Sequence, residues 1–427
     1  MSEAKTEKMN AMEMFSFGAA QFATSIFVAF SAYYLMMFCT DVALIPPAMT
    51  AVLLFCYRLF SALDDQAVGL FINRVRFKDG KYRPYFKWCA LPFAISLAAL
   101  PLIPGIIYVA FILIICDLCR SALYTASMSM LPYLAKDDVN RTKFVSFSNA
   151  GSILSFIAVG TFMLPLSDYF GGGDRNKGFA LVLAVYALVS ILLHFNAYFR
   201  LKEWHYVDPI DKPAIKDMFM AMGRSKRIML FFVGYGLYSM ADAFKSMTTY
   251  YYVTYNMEKP DLLPVVILAG LITPLAVQPI IPRLLAYAKK ESLIIFALFA
   301  SSCVSLLMLA AGNQSFAMIS CVVLYGLFTA IVANLVFTVM ASFSDEIQLG
   351  QNMSMSEILA ASLSLSSSLG TIIASGAAPL TMAAYGYSAQ AAVQTDSALA
   401  GIKALYILCT ATGLALSGVV LLFFSKK

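Results

Sequence analysis

Gly69-Leu-Phe-Ile-Asn73-Arg-Val-Arg76-Phe-Lys78-Asp79-Gly80-Lys81-Tyr82-Arg83-Pro84-Tyr85 stands between two long apolar runs. Arg74, Arg76, Lys78, Lys81 and Arg83 crowd five cations into ten residues. Such a cluster cannot lie in hydrocarbon, and in a short loop it marks the cytoplasmic side of a membrane. Gly80 permits a tight turn, and Pro84 suits the first turn of a following helix. The stretch reads as a basic hinge between two membrane helices, and the chain as an all-α membrane protein.

Outward from the hinge the same reading holds. Apolar runs fall near 12–39, 46–73, 84–104, 106–134, 143–168 and 178–200, and again near 227–257, 261–287, 292–312, 315–343, 351–387 and 397–425. A helix needs about 20 residues to cross a bilayer, so the pattern is six spans plus six. A content of 60% hydrophobic and 13% charged residues, with a mean hydropathy of +0.77, excludes an ordinary soluble domain. Of 30 Lys and Arg, 23 fall in segments on the side of the hinge, and four (Arg175, Lys177, Lys259, Lys403) on the opposite side. Three (Arg58, Arg120, Lys245) lie inside spans. By the positive-inside rule both termini are cytoplasmic in a multi-pass protein of the cell membrane. The net charge of +6 is a matter of membrane side, and no nucleic-acid partner is implied.

Residues 1–200 and 228–427 then form two six-helix bundles, joined by a cytoplasmic linker, 201–227. Within it Ile215, Met218, Phe219 and Met222 make one apolar face of a short helix suited to the membrane surface. Pro282-Arg283 with Lys289-Lys290 occupies in the second half the place of the hinge in the first, as two parallel repeats would have it. The first residues carry no apolar region with a cleavage site. All eight cysteines sit in or at the ends of apolar runs, and Cys116-Asp-Leu-Cys119 has no further ligands nearby, so neither disulfides nor a metal are expected. No nucleophile–base pair or phosphate-cradling loop is found, and no enzyme or cofactor is expected.

Function must come from polar residues at membrane depth. On the second run Arg58, Ser61 and Asp65 share a stripe, with Asp64 at its edge. Two adjacent carboxylates near one arginine make a place for a cation or proton, or else a neutralised Arg58–Asp65 pair that locks packing. On the fourth run Asp117, Arg120, Tyr124 and Met128 share a face, and Asp117 can neutralise Arg120. On the seventh, Tyr235, Tyr238, Asp242, Lys245 and Thr249 do so, where Asp242 and Lys245 at i, i+3 can pair. The eleventh carries many small hydroxyls, including Ser362, Ser366 and Ser375, which suit close packing or a wet cavity. His194 and His205 are placed poorly for central proton transfer.

Arg58, Asp65, Gly69, Asn73, Gly80, Lys81 and Pro84, with Gly171-Gly172-Gly173-Asp174-Arg175 and Gly178-Phe179, resemble the glycoside-pentoside-hexuronide:cation symporters, the melibiose-permease-like family of the major facilitator superfamily. The first half matches through motifs and the second mainly through hydropathy. The resemblance implies the major facilitator fold of 12 transmembrane helices and alternating access, with Asn73, Arg76, Gly80, Lys81 and Arg83 in a conformational gating loop. It implies cation coupling at Asp65, Asp64, Arg58 and Ser61. Solute would be held by Arg120, Tyr124, Asn149, Ser25, Asp117 and Met128 on the stripes that face it in the family, and, on this chain's own residues, by Tyr235, Tyr238, Asp242 and Lys245 from the other half, where Asp242 and Lys245 have no charged counterparts in the family pattern. The family's charged positions are altered, however: Ser61 and Tyr124 stand where its cation site has aspartates, Asn149 where it has an arginine, Ser25 an aspartate and Leu369 a lysine. The expected activity is symport of a sugar, glycoside or hexuronide-like solute with H⁺ rather than Na⁺. A uniporter of the same fold and a non-transporting sensor are the alternatives. The partners expected are a small-molecule solute and the lipid bilayer, around a monomer.

Overall fold

In a computed structural model the described residues are 11–75, 77, 80–135, 138–203, 226–347, 355–391 and 393–425. They are helical between short connections. The first six helices are α1 (Ala11–Tyr33), α2 (Pro47–Arg74), α3 (Tyr85–Ala99), α4 (Ile106–Leu134), α5 (Asp138–Gly171) and α6 (Arg175–Arg200). The second six are α7 (Lys226–Tyr251), α8 (Pro260–Val277), α9 (Lys290–Ala311), α10 (Ser315–Ile347), α11 (Met355–Ala384) and α12 (Asp396–Phe423).

Ten of these contain a stretch long and apolar enough to span a membrane. The other two of the expected twelve are α3, which is short, and α7, which is made polar by Asp242, Lys245 and the hydroxyls of Ser246, Thr248 and Thr249. Large side chains such as Phe111, Leu192 and Phe296 point outward, about three-fifths exposed. On a soluble surface such faces would drive association; here they meet lipid tails.

The described residues divide into two compact units, Met1–Phe30 with Leu63–Lys212 and Ser31–Ala62 with Pro213–Lys427. The last three residues of α1 and the first part of α2, to Ala62, therefore group with the second half of the chain, a division that sequence periodicity does not display.

In the first unit α1 and α5 approach so closely that a methyl on Gly151 would strike the carbonyl of Gly18. His194 of α6 is fully buried, its ring bonded to Thr24 Oγ1 at 3.1 Å and the Ser190 carbonyl at 2.8 Å and packed against Phe86 and Phe93. It is a core residue tying α1, α3 and α6. In the second unit α7 and α11 meet in the manner of α1 and α5, because a methyl on Gly370 would strike the carbonyl of Gly236. Ser366 donates to the Phe232 carbonyl, and Ser417 of α12 to that of Gly234 at 2.7 Å. Packing through small residues is how helices associate where hydrocarbon surrounds them. The first and fifth helices of each half use the same device, as repeats require.

Candidate functional site

In the first unit, α2 and α4 bring together three carboxyl groups and one guanidinium. Asp65 Oδ1 accepts from Ser121 Oγ at 2.6 Å and from Arg120 Nη2 at 3.2 Å, while Arg120 Nε donates to Asp117 Oδ1 at 2.5 Å. Asp117 is 1% exposed and Asp64 3%. Among the described residues neither carboxyl oxygen of Asp64 has a hydrogen-bond partner, nor does Asp117 Oδ2. Asp64 nevertheless lies within electrostatic reach of Asp65, Asp117 and Arg120.

The pairing of Arg58 with Asp65, one of the two sequence readings of α2, is corrected. Arg58 donates to Ser31 Oγ at 2.9 Å, and the guanidinium that meets Asp65 is that of Arg120. Seven residues along one helix separate side-chain origins by about 10 Å, whereas Arg120 reaches across from a neighbouring helix. Ser61 is half-buried on α2. Beyond Arg120 on α4, Tyr124 is exposed and Met128 half-buried. Ser25 donates to Ser152 Oγ at 3.0 Å, joining α1 to α5, and Asn149 is exposed on α5.

The second unit holds a cavity of about 270 Å³, close to the lower end of small-molecule sites at roughly 300 Å³. Asp242 and Lys245 line it, with Tyr33, Tyr238, Tyr325 and Tyr406. The rings of Tyr235 and Tyr238 stack at 5.8 Å, and the Tyr238 hydroxyl reaches the Thr329 carbonyl at 3.4 Å. The expected i, i+3 pair is not formed. Lys245 Nζ turns instead to Met308 Sδ at 2.9 Å, with the rings of Tyr406 and Tyr325 at 3.7 and 4.9 Å, and Asp242 is exposed toward the cavity.

Two clusters escaped the sequence reading. In the loop after α2, Glu203 at the end of α6 accepts three backbone N–H groups, from Lys81 at 2.8 Å, Tyr82 at 2.6 Å and Arg83 at 2.9 Å. Arg83 Nε donates to the Tyr198 carbonyl at 2.6 Å. Gly80 sits at φ +122°, and a methyl there would lie 3.0 Å from the Glu203 carboxylate. Glycine thus serves both the turn and the anion beside it. Pro84 precedes the first turn of α3, as its fixed φ favours. Asn73 lies in the last turn of α2, whereas Arg76, the rest of 78–79 and the apolar face at 215–222 fall outside the described residues.

The other cluster, in the second unit, joins the segment after α1 to the ends of α7 and α11. Thr40 Oγ1 and the Tyr251 hydroxyl are 2.6 Å apart, and Asp41 Oδ1 accepts from Tyr255 at 2.8 Å and Tyr387 at 2.7 Å. Asp41 and Tyr255 ride on π-helical turns, Phe38–Val42 and Tyr252–Asn256, and Tyr406 on a third, Ala404–Cys409. Such turns are rare and concentrate at functional sites. A lone carboxylate at the end of the first apolar run was the one available signal.

Residues 16–426 match the model of the family described as MFS/sugar transport protein. The isoprimeverose transporter of Lactiplantibacillus pentosus is 27% identical over 435 residues, covering 96% of this chain and 88% of that one. A putative glycoside/cation symporter of Escherichia coli (strain K12), YagG, is 25% identical over 386 residues, covering 88% and 83%. The crystal structure of the nucleoside transporter NupG superposes with a TM-score of 0.72 at 10% identity, over 98% of this chain and all of that one, a likeness of fold. With ten helices among the described residues long and apolar enough to cross a membrane and a match over nearly its whole length, the chain belongs to the MFS/sugar transport protein family, the glycoside-pentoside-hexuronide:cation group of the major facilitator superfamily, and is a multi-pass membrane transporter rather than an enzyme.

Proposed function

We propose that the protein is a sugar or glycoside symporter that couples solute movement to H⁺ by alternating access. It acts as a monomer in the cell membrane with both termini cytoplasmic. The observation that supports the coupling is Asp64, buried beside Asp65, Asp117 and Arg120 with neither carboxyl oxygen partnered among the described residues. With every acid ionised, three negative charges would face one positive charge. A buried ionised group without partners costs several kcal/mol, so a proton or small cation completes the cluster. Sodium prefers a cage of several oxygens, and two aspartates of the family's cage are Ser61 and Tyr124 here, which favours the proton.

The sugar reading is supported by the family description and by relatives named for glycosides. The exposed Tyr124, one turn beyond Arg120, offers an aromatic face of the kind sugar rings stack upon. The test is uptake in membrane vesicles with isoprimeverose and other glycosides as probes. Accumulation is expected to follow an imposed pH gradient and to be indifferent to Na⁺. Asp64→Asn and Asp65→Asn should each abolish accumulation while leaving part of the counterflow, since coupling is lost but solute exchange is not. Sodium-stimulated uptake by the unaltered protein would reject the proton, and full accumulation by either variant would make that carboxyl structural.

A further inference from the structure

The cavity of the second unit holds one cation and one carboxylate that do not pair. An ammonium carries three donors. Among the described residues, Lys245 Nζ meets Met308 Sδ and the faces of Tyr406 and Tyr325. Thioether sulfur is a weak acceptor, and ring faces offset only part of the desolvation of a buried cation. Lys245 is 7% exposed and is one of the residues that line the cavity. Donors left over at the wall of a cavity call for an oxygen anion.

Asp242, one turn earlier on α7, opens into the same cavity. Ionised, it balances the field of Lys245 and repels an incoming anion. Protonated, it leaves the cavity with one positive charge and adds an O–H donor. The other titratable groups facing this pair are the phenols of Tyr33, Tyr235, Tyr238, Tyr325 and Tyr406 and the thiol of Cys321. Ordinary phenols and thiols lose their protons at about pH 10 and 8.5, so Asp242 is the group here that changes charge on the acid side of neutrality.

We propose that this cavity is an oxyanion subsite, taking a carboxylate or sulfonate carried by the solute, and that it fills when Asp242 holds a proton. The inference rests on the transport reading only in making the anion part of the transported solute. It moves charge recognition away from Arg120, whose fork is already engaged by Asp65 and Asp117. Binding the anion together with a proton adds no net charge to the cavity, so a loaded site can cross the membrane at low electrostatic cost.

Calorimetric titration of the purified full-length protein between pH 5.5 and 8 tests this, with D-glucuronate, acetate and methyl glucoside as probes. Glucuronate is expected to bind, and to weaken by about tenfold per pH unit once Asp242 ionises. Asp242→Asn should flatten that dependence, because its side chain stays uncharged. Lys245→Met should lose at least about tenfold in affinity, or roughly 1.4 kcal/mol, and Lys245→Arg should keep most of it. Thermal unfolding establishes that each variant is folded. An unchanged affinity in folded Lys245→Met, a pH slope persisting in Asp242→Asn, or no glucuronate binding at any pH would each overturn the subsite. Acetate binding as tightly as glucuronate would overturn the solute-borne anion. In all these cases pH-driven uptake of a neutral glycoside would leave the transport reading standing, so the two ideas fail separately.

Discussion

At Arg120 one guanidinium serves two carboxylates from two helices, Asp117 on its own and Asp65 on α2. Its planar fork suits this double role, which a lysine could not fill. Removing one member of a buried pair leaves an uncompensated charge, so Arg120→Gln is expected to destabilise the protein by about 3–5 kcal/mol. Adding Asp117→Asn removes the most buried of the stranded carboxylates, and the double variant should recover a large part of that loss. Thermal unfolding of the purified variants measures both. A double variant no more stable than Arg120→Gln would mean that Asp65, not Asp117, is the partner that matters.

Among the elements, the loop after α2 is held by one carboxylate just beyond the end of α6. Glu203 gathers three consecutive N–H groups, each a charge-assisted bond. Hydrogen bonds to charged groups contribute about 1.5–3 kcal/mol each, although three sharing one acceptor do not add fully. Glu203→Ala is therefore expected to loosen the loop locally while the helices stay packed. Tryptic cleavage after Lys81 should accelerate by about tenfold or more, the ratio given by some 1.4 kcal/mol of lost local stability, with the global unfolding midpoint nearly unchanged. Equal cleavage rates in the two proteins would show that Glu203 does not hold the hinge.

For the whole molecule, the glycine contacts of α1 with α5 and of α7 with α11 repeat one construction in the two halves. The orientation expected from the cations, 23 of 30 on the hinge side, puts that side in the cytoplasm. Single cysteines placed at Lys78 and Lys216 should resist a membrane-impermeant thiol reagent in intact cells and react after permeabilisation, and one placed at Lys259 should react in both. Labelling of position 78 or 216 from outside would invert the topology. On that topology the connections that carry Thr40, Asp41, Tyr251, Tyr255 and Tyr387 are expected to be external.

The sequence by itself determined the all-helical membrane class and the polar stripes on α2, α4 and α7, because hydrocarbon imposes length, composition and charge placement on each helix alone. Periodicity also put Asp117 and Arg120 on one face of a single helix. Only tertiary structure decided which charges meet. Asp65 takes Arg120 rather than Arg58, and Asp242 and Lys245 stand one turn apart without pairing. Glu203, far along the chain, closes the hinge. Partners of this kind are set by the packing of helices against one another, and a lysine turned toward Met308 and two tyrosines of other helices leaves no trace in the spacing of its own.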